Sequence, residues 1–204
     1  MEELEKILEA AELLFRKYGI RSVTMSDIAS QLGMSKKTLY QYIENKNDLV
    51  EKMVGNYIES EKEMCRQAAQ SAEDALQEMF SISIHVQRNI ENMNPSLLFD
   101  LKKYHFSIWQ QFEAYRKDFV LSLMKNNLIR GKSEGIYRED MDPEIISRIH
   151  IGSMHIFSDD VILPPDQFPR PTVHKEFVFY HMHGIVSEKG RALMNNYLKL
   201  LGIK

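Results

Sequence analysis

Apolar residues recur at intervals of three and four along the first eighteen positions of the chain. They are Leu4, Ile7, Leu8, Ala11, Leu14, Phe15 and Tyr18. This spacing places one apolar stripe along a helix, and Gly19 is expected to end that helix because glycine readily adopts the left-handed conformation of a helix C-terminus. The pattern therefore predicts an amphipathic first helix that buries one face.

Three further helices are predicted before residue 70. Thr24 can cap a short helix, with Asp27 at its third position as an acidic variant of the capping box, and Gly33 is expected to end it. Ser35 can cap the next helix. The segment 45–48, Asn-Lys-Asn-Asp, repeats the capping pattern before a longer helix. The apolar positions of that longer helix are Leu49, Val50, Met53, Val54, Tyr57 and Ile58.

The rest of the chain is also predicted to be helical. Helix starts are expected at Ser71, at Asn94-Pro95 and at Asp142-Pro143, because proline is tolerated in the first turn of a helix. An aromatic-rich helix is expected from about Tyr104 to Arg130. No alternating strand pattern, internal repeat or low-complexity tract interrupts these segments. The predicted fold class is all-α.

Glycines and prolines mark the later boundaries. Gly131 and Gly135 are expected to bound a turn. A helix is predicted from Thr172 to about Gly184, and Ser187 can cap a final helix that ends near Leu200. The connector before these last helices is expected to be extended because it contains four prolines, namely Pro164, Pro165, Pro169 and Pro171.

Composition agrees with a folded protein. Apolar residues make up 44% and charged residues 27% of the 204 positions, which is ordinary for a globular chain and argues against disorder. No cationic N-terminal segment precedes an apolar run, and no stretch approaches the ~20 apolar residues that span a bilayer. A cytoplasmic location without membrane contact is therefore expected. Cys65, the single cysteine, cannot form an intramolecular disulfide.

The net charge of −3 gives no general sign of a polyanionic partner. The first 55 residues contain eight Lys or Arg and nine Asp or Glu, so the N-terminal region is not basic as a whole. Five of the acids precede residue 13, whereas Lys36, Lys37 and Lys46 lie around the third helix. Local separation of charge of this kind is sufficient for DNA binding.

The segment 24–42, TMSDIASQLGMSKKTLYQY, fits a helix-turn-helix. Ile28 and Leu32 are expected in the core of the module, Ala29 lets the helices cross closely, Gly33 suits the turn and Leu39 closes the core from the second helix. The outward face of that second helix contains phosphate-binding and base-reading groups. These groups are Lys36, Lys37, Thr38, Tyr40 and Gln41.

The positions from Thr24 to Leu49 that carry this pattern resemble the N-terminal signature of TetR-type repressors. The resemblance covers about residues 3 to 55 and rests on Thr24, Ile28, Ala29, Leu32, Gly33, Ser35, Thr38, Leu39, Tyr40, Tyr42, Lys46 and Leu49. It implies that Thr24, Tyr42 and Lys46 touch phosphates while the face from Lys36 to Gln41 reads bases. Ser35 is included as a candidate contact, although a capping role alone also fits, and Tyr40 fits either packing or contact.

The sequence departs from the common family pattern at two positions. Ile43 stands where an aromatic residue is usual, which removes one packing ring. Lys37 stands where a small residue is frequent, which is expected to change the bases that are read. The resemblance also implies an all-helical effector-binding and dimerisation domain, so that residues 1–46 form the DNA-binding domain and residues 47–204 the larger one.

The larger domain is rich in methionine and aromatic residues, most of which are expected in the core. If an effector pocket for a small apolar or amphipathic molecule exists, its first candidates combine apolar faces with polar tips. They are Phe99, Tyr104, His105, Trp109 and Phe112. The last helices offer apolar positions for a homodimer interface, with core packing as the alternative: Ile145, Ile146, Ile149, Phe177, Val178, Met182, Ile185 and Met194.

Other functional classes find little support. His181 and His183 are two apart on a predicted helix and point in different directions, and His150 and His155 are five apart, so no metal site is predicted. No phosphate-binding glycine loop, catalytic triad order or HExxH motif is present, and neither an enzyme nor a cofactor is predicted. The remaining alternative to a DNA-binding regulator is a helical protein-protein interaction module without DNA specificity.

Overall fold

A computed structural model describes residues 2–94, 96–157 and 159–200, with side chains up to residue 198. The described residues form α-helices, one π-helical segment, Arg116–Val120, and a single isolated bridge between Tyr137 and Val186, which confirms the all-α class. The helices are α1 Glu2–Tyr18, α2 Met25–Gln31, α3 Lys36–Leu39, α4 Lys46–Ser71, α5 Ala75–Glu91, α6 Ser96–Tyr104, α7 Phe106–Tyr115, α8 Leu121–Ser133, α9 Pro143–Ile156, α10 Arg170–Ile185 and α11 Glu188–Leu200.

α2, α3 and α4 begin, and α1 and α2 end, where the sequence predicts. α1 ends at Tyr18 and Gly19 follows with a φ of 81°. The side chain of Asn45 accepts hydrogen bonds from the amides of Asn47 and Asp48 at 2.9 and 3.0 Å, which satisfies two amide groups of the first turn of α4. α4 then continues for 26 residues. Local capping signals therefore determine the boundaries of this region.

Two of the later predicted boundaries are wrong. Ser71 is the last residue of α4, and α5 begins at Ala75 after Asp74, whose carboxylate accepts from the amide of Gln77. The Ser71 hydroxyl instead donates to the carbonyl of Gln67 one turn back, as hydroxyls within helices do. Gly131 lies inside α8, and the turn comes at Gly135 with its φ of 68°.

The remaining boundaries follow the capping logic closely. Asp142 caps α9, with Pro143 in the first turn, and Ser187 accepts from the amide of Gly190 at the start of α11. α10 begins at Arg170, slightly before the predicted Thr172, because Pro171 occupies its first turn. For the predicted start at Asn94-Pro95, Asn94 accepts from the amide of Ser96, whereas Pro95 lies outside the described residues.

The predicted helix from Tyr104 to Arg130 is interrupted at His105 and passes through the π-helical segment.

The chain divides into two compact units. The first consists of residues 1–61 and 92–115, and the second of residues 62–91 and 116–204. The first unit therefore joins α1 to α3 and the start of α4 with α6 and α7. The proposed functional boundary after residue 46 is a different division, and it stays a prediction.

Each unit has its own hydrophobic core. The core of the first unit includes Phe15, Ile28, Leu39 and Leu49, all fully or almost fully buried. In the second unit α5, α8, α10 and α11 contribute the core, which includes Leu76, Leu128 and Met182. No helix within the described ranges is both long and apolar enough to cross a membrane.

Candidate DNA-binding surface

The helix-turn-helix begins at the capping pair Thr24 and Asp27. The Thr24 hydroxyl oxygen accepts from the amide of Asp27 at 3.2 Å, and the Asp27 carboxylate accepts from the amide and the hydroxyl of Thr24, both at 2.7 Å. These hydrogen bonds from the Thr24 hydroxyl and amide hold the pKa of Asp27 below its ordinary value. The predicted capping box is confirmed, and it fixes Thr24 at the exposed start of α2.

The turn between α2 and α3 depends on small and apolar residues. Gly33 has a φ of 65°, a conformation that costs other residues roughly 1–2 kcal/mol. The amide of Met34 then donates to the carbonyl of Ala29 at 3.0 Å, which closes the turn. Ile28 and Leu39 are fully buried, one from each helix. The core positions predicted for this module are confirmed, with Leu32 partly buried at the edge of the same core.

The second helix of the motif is short and well capped. The Ser35 hydroxyl oxygen accepts from the amide of Thr38 at 3.1 Å, and the hydroxyls of Ser35 and Thr38 lie 2.9 Å apart. α3 itself comprises four residues and continues into turns up to Ile43, which is 1% exposed. Ile43 thus fills the core in place of the aromatic residue usual at that position.

The outward side of this helix exposes the residues predicted to contact DNA. Tyr40 and Tyr42 are 49% and 41% exposed, so neither ring is a core residue. The other exposed members are Ser35, Lys36, Lys37 and Gln41, and Thr38 is half-buried. Leu39 is buried among them, as is Ile43 four residues further on, which fits the helical spacing of core positions. The predicted reading residues are therefore exposed, apart from the half-buried Thr38.

Lys46 occupies a different position from the other predicted contacts. Its Nζ donates to the carbonyl of Val23 at 2.5 Å and to that of Arg21 at 3.4 Å, and it lies 6.0 Å from the centre of the Phe15 ring. Burial lowers its pKa, while the charges of Asp100 and Asp27 oppose that shift. Lys46 therefore ties the start of α4 to the loop that precedes Thr24, which brings two predicted phosphate contacts together.

The five predicted effector residues lie in the first unit, but in different environments. Tyr104 and His105 line a depression of about 130 Å³ together with Ile20, Arg21, Lys46 and Asp100. Trp109 and Phe112 are partly buried against the core of the first unit, and their rings lie 5.8 Å apart. Phe99 is 55% exposed on α6. The structure brings Tyr104 and His105 together with Lys46, a grouping that the sequence does not reveal.

Several polar contacts around this depression were not predicted. The Nδ1 of His105 lies 2.7 Å from the Oδ1 of Asn47. The buried carboxylate of Asp100 accepts from the amide of Arg21 at 3.0 Å, and the Arg21 guanidinium donates to the hydroxyl of Tyr104 at 3.0 Å. An aspartate at a position between Leu97 and Leu101, on the buried side of a helix, is the one sequence signal of these contacts.

The predicted dimerisation residues fall into three groups. Met182, Ile185 and Met194 are at most 2% exposed in the core of the second unit, so for these three the alternative of core packing is correct. Ile145 and Ile149 are 56% and 58% exposed on α9. Ile146, Phe177 and Val178 are half-buried. Among the residues described, no group of three or more His, Cys, Asp or Glu side chains is arranged to hold a metal ion.

Comparison with known proteins finds a family match at the helix-turn-helix and similar regulators along most of the chain. The model of bacterial regulatory proteins, tetR family, matches residues 7–53. The HTH-type transcriptional regulator YvaF of Bacillus subtilis is 29% identical over 189 residues, 91% of this chain and 96% of its own. The HTH-type transcriptional repressor KstR2 of Mycolicibacterium smegmatis is 24% identical over 153 residues, 71% of this chain and 72% of its own.

Solved structures show the same fold over nearly the whole chain. The SmeT-triclosan complex covers 92% of this chain and 93% of its own with a TM-score of 0.68 at 17% identity. The fatty acid degradation regulator FadR from Bacillus halodurans covers 89% and 95% with a TM-score of 0.64 at 16% identity. The capped helix-turn-helix at residues 24–42 lies within the part of the chain that the tetR family model matches, and the chain is a DNA-binding transcriptional regulator similar to those of the TetR family.

Proposed function

We propose that this regulator is a ligand-responsive repressor that binds a palindromic operator as a homodimer. The observation that carries the proposal is the exposed surface of α3, which buried Leu39 and capping Ser35 hold in one orientation. Lys36 and Lys37 supply cationic donors, and Thr38 and Gln41 supply groups that hydrogen-bond to base edges. A cytoplasmic location and the absence of a catalytic activity are part of the same proposal.

The phosphate contacts surround this reading surface. Thr24 and Tyr42 are exposed, and the Tyr42 hydroxyl is a donor suited to a backbone phosphate. The Thr24 hydroxyl donates to Asp27 in the unbound protein, so its contact with a phosphate requires an exchange of that partner. Tyr40, 49% exposed, is available to contact the same duplex. Lys46 acts partly through the loop before Thr24, because its ammonium group already binds the carbonyls of Val23 and Arg21.

A second copy of the chain is needed for affinity and for the palindrome. One short recognition helix reads only a few base pairs, whereas a two-fold pair reads major grooves about 34 Å apart. Ile145 and Ile149 are one helical turn apart on α9, and both are more than half exposed. An apolar face of this kind is suited to pack against its own copy across a two-fold axis.

The effector is proposed to be a small apolar or amphipathic molecule. Relatives point to such molecules in their names: SmeT is described with triclosan, and a Bacillus subtilis relative is a fatty acid metabolism regulator, 24% identical over 154 residues. The depression beside Tyr104 and His105 also contains Lys46. A group that occupied it would disturb the contact of Lys46 with the loop before Thr24, and coupling of ~1–3 kcal/mol changes affinity about 5- to 150-fold.

The first test is selection of bound duplexes from a random DNA pool at physiological salt, with the native mass measured on the same preparation. Enrichment of a palindrome by a dimeric protein supports the proposal and supplies the operator for effector screening. Absence of any enriched sequence from the folded protein would instead favour the helical interaction module. A decrease in operator affinity on addition of triclosan or a fatty acid would support a ligand response.

A further inference from the structure

A group of basic and aromatic side chains lies outside the helix-turn-helix but within the same compact unit. We call it the α6 basic patch. It consists of Arg21, Phe99, Lys102, Lys103 and Tyr104, all of them exposed. Four of its members belong to α6, and Arg21 belongs to the loop that leads to Thr24.

Two of the three cations of the patch, Arg21 and Lys103, are held against aromatic rings. The Nζ of Lys103 lies 5.1 Å from the centre of the Phe99 ring and 5.4 Å from that of Tyr104. The Arg21 guanidinium lies 5.3 Å from the Tyr104 ring and donates to its hydroxyl. Such cation–π contacts keep charged groups in place at the surface while leaving them solvated. The patch therefore presents ordered positive charge.

The patch is fixed by backbone contacts to the end of α1 and to the loop that precedes the helix-turn-helix. The amide of Asn94, just before α6, donates to the carbonyl of Arg16 at 2.8 Å, and its side chain donates to the carbonyl of Lys17 at 3.1 Å. The Asp100 carboxylate accepts from the amide of Arg21. That carboxylate is buried, so it faces the module and not the exterior.

The patch is also continuous with the proposed phosphate contacts. The carbonyl of Arg21 accepts from Lys46, which binds the carbonyl of Val23 next to Thr24. Lys46 therefore binds the backbone of Arg21, and the Arg21 and Lys103 side chains both lie against the ring of Tyr104. A duplex carries one negative charge per ≈ 1.7 Å along its axis, so its backbone complements a series of cations of this kind.

We propose that the α6 basic patch is a second contact surface for duplex DNA, where Arg21, Lys102 and Lys103 bind backbone phosphates beside the bases read by α3. This inference rests on the proposed operator binding. It extends the contact surface beyond the helix-turn-helix and assigns it no sequence preference, because phosphate contacts position a protein without reading bases.

The test uses the full-length double variant Lys102→Gln with Lys103→Gln and the selected operator, extended by about one helical turn (~10 bp) on each side. Operator affinity is measured by fluorescence anisotropy between 50 and 200 mM salt. Each lost phosphate contact is expected to reduce the slope of log affinity against log salt by about 0.9. For two contacts, the ratio of wild-type to variant affinity should be about tenfold larger at 50 mM than at 200 mM.

The matched control is Lys175→Gln, which also removes an exposed lysine held over an aromatic ring, at 6.0 Å from Phe179 in the second unit. It should leave the slope unchanged, and the double variant should still enrich the wild-type sequence. A double variant whose slope equals that of the wild type overturns the second surface alone. A wild-type protein that enriches no sequence overturns the proposed function as well.

Discussion

At the scale of single residues, the orientation of a few side chains decides which groups can reach DNA. Leu39 is fully buried in the core of the module, whereas Lys36, Lys37 and Tyr40 are exposed. Lys46 differs from these exposed lysines, because its ammonium group donates to backbone carbonyls of the same unit. Residues with the same charge therefore differ in role according to where the backbone places them.

Removal of the two lysines of α3 should weaken operator binding. The double variant Lys36→Ala with Lys37→Ala loses exposed charges without a change in the core, so its free energy of unfolding should stay within about 0.5 kcal/mol of the wild type. Loss of phosphate contacts should lower the salt slope by about one for each contact, and a lost base contact should relax specificity at one position.

Anisotropy titrations and repeated sequence selection measure these effects, with Lys175→Ala as the control. Unchanged affinity, slope and selected sequence in the double variant would contradict the assignment of Lys36 and Lys37. A change in the salt slope without a change in the selected DNA sequence would assign both lysines to phosphates.

At the scale of elements, close packing between a helix and the following loop fixes the second unit. A Cβ atom added to Gly131 in α8 would lie 2.0 Å from the ring of Tyr137. The Tyr137 hydroxyl donates to the carbonyl of Ala75 at 3.1 Å and to the Oδ1 of Asn127 at 3.0 Å. The ring therefore cannot move away without loss of these buried hydrogen bonds.

Substitution of two helical glycines by alanine should have opposite effects. Gly131→Ala should destabilise the protein by about 1–3 kcal/mol, because it overpacks the contact with Tyr137. Gly55→Ala, in α4, meets no atom within 4 Å and should stabilise by roughly 0.5–1 kcal/mol through helix propensity. Urea unfolding followed by circular dichroism measures both. Equal midpoints for the two variants would contradict the close approach at Gly131.

The contact between α9 and α10 contains a pair of histidines with an expected pH dependence. The His150 and His181 rings lie 4.5 Å apart, and the His150 Nδ1 and His181 Nε2 are buried without a hydrogen-bond partner among the described residues. Burial, followed by the charges of His181 and His174, lowers the pKa of His150 well below its ordinary value. Burial alone lowers the pKa of His181 to about 4.

Acid should therefore destabilise the folded protein. As the pH falls below about 6.5, these histidines take up protons in the unfolded chain while the buried rings of the folded protein stay neutral. The stability that the two neutral rings contribute to the folded protein is therefore complete above pH 6.5 and decreases as the pH falls towards 4. Each histidine should lower the free energy of unfolding by up to about 1.4 kcal/mol per pH unit. Urea unfolding between pH 7.5 and 4.5 measures the slope, and His181→Gln should reduce it by about one proton. Identical slopes for variant and wild type would rule out this role for His181.

At the scale of the whole molecule, the proposed palindromic operator calls for two copies of the chain, and the exposed face of α9 is the proposed contact between them. The double variant Ile145→Glu with Ile149→Glu would place four charges in a two-fold interface that otherwise buries apolar surface. Its dimer dissociation constant should rise at least about 100-fold, because burial of each isoleucine contributes roughly 1–3 kcal/mol.

Sedimentation equilibrium measures this effect, and circular dichroism checks that the variant stays helical. Leu13→Glu in α1 is the control, since Leu13 is 60% exposed in the first unit. A double variant that remains dimeric at the wild-type concentration would place the interface elsewhere.

The sequence by itself determined the helix-turn-helix, its caps and its exposed reading residues. Thr24, Gly33, Ser35 and Leu39 act through contacts within a few residues, so local chemistry is enough to predict their roles. Predictions of helix boundaries failed where a residue that can cap a helix makes another local contact. Ser71 is an example, because its hydroxyl donates to the carbonyl of Gln67 within α4.

Only the tertiary structure decided which distant residues meet. It joined Arg21 to Asp100 and Tyr104, placed His105 beside Asn47 and buried Met182 in a core instead of an interface. The physical reason is that these contacts connect residues far apart in the chain. Helical periodicity shows that a face is apolar or polar, but it does not show which other face will cover it.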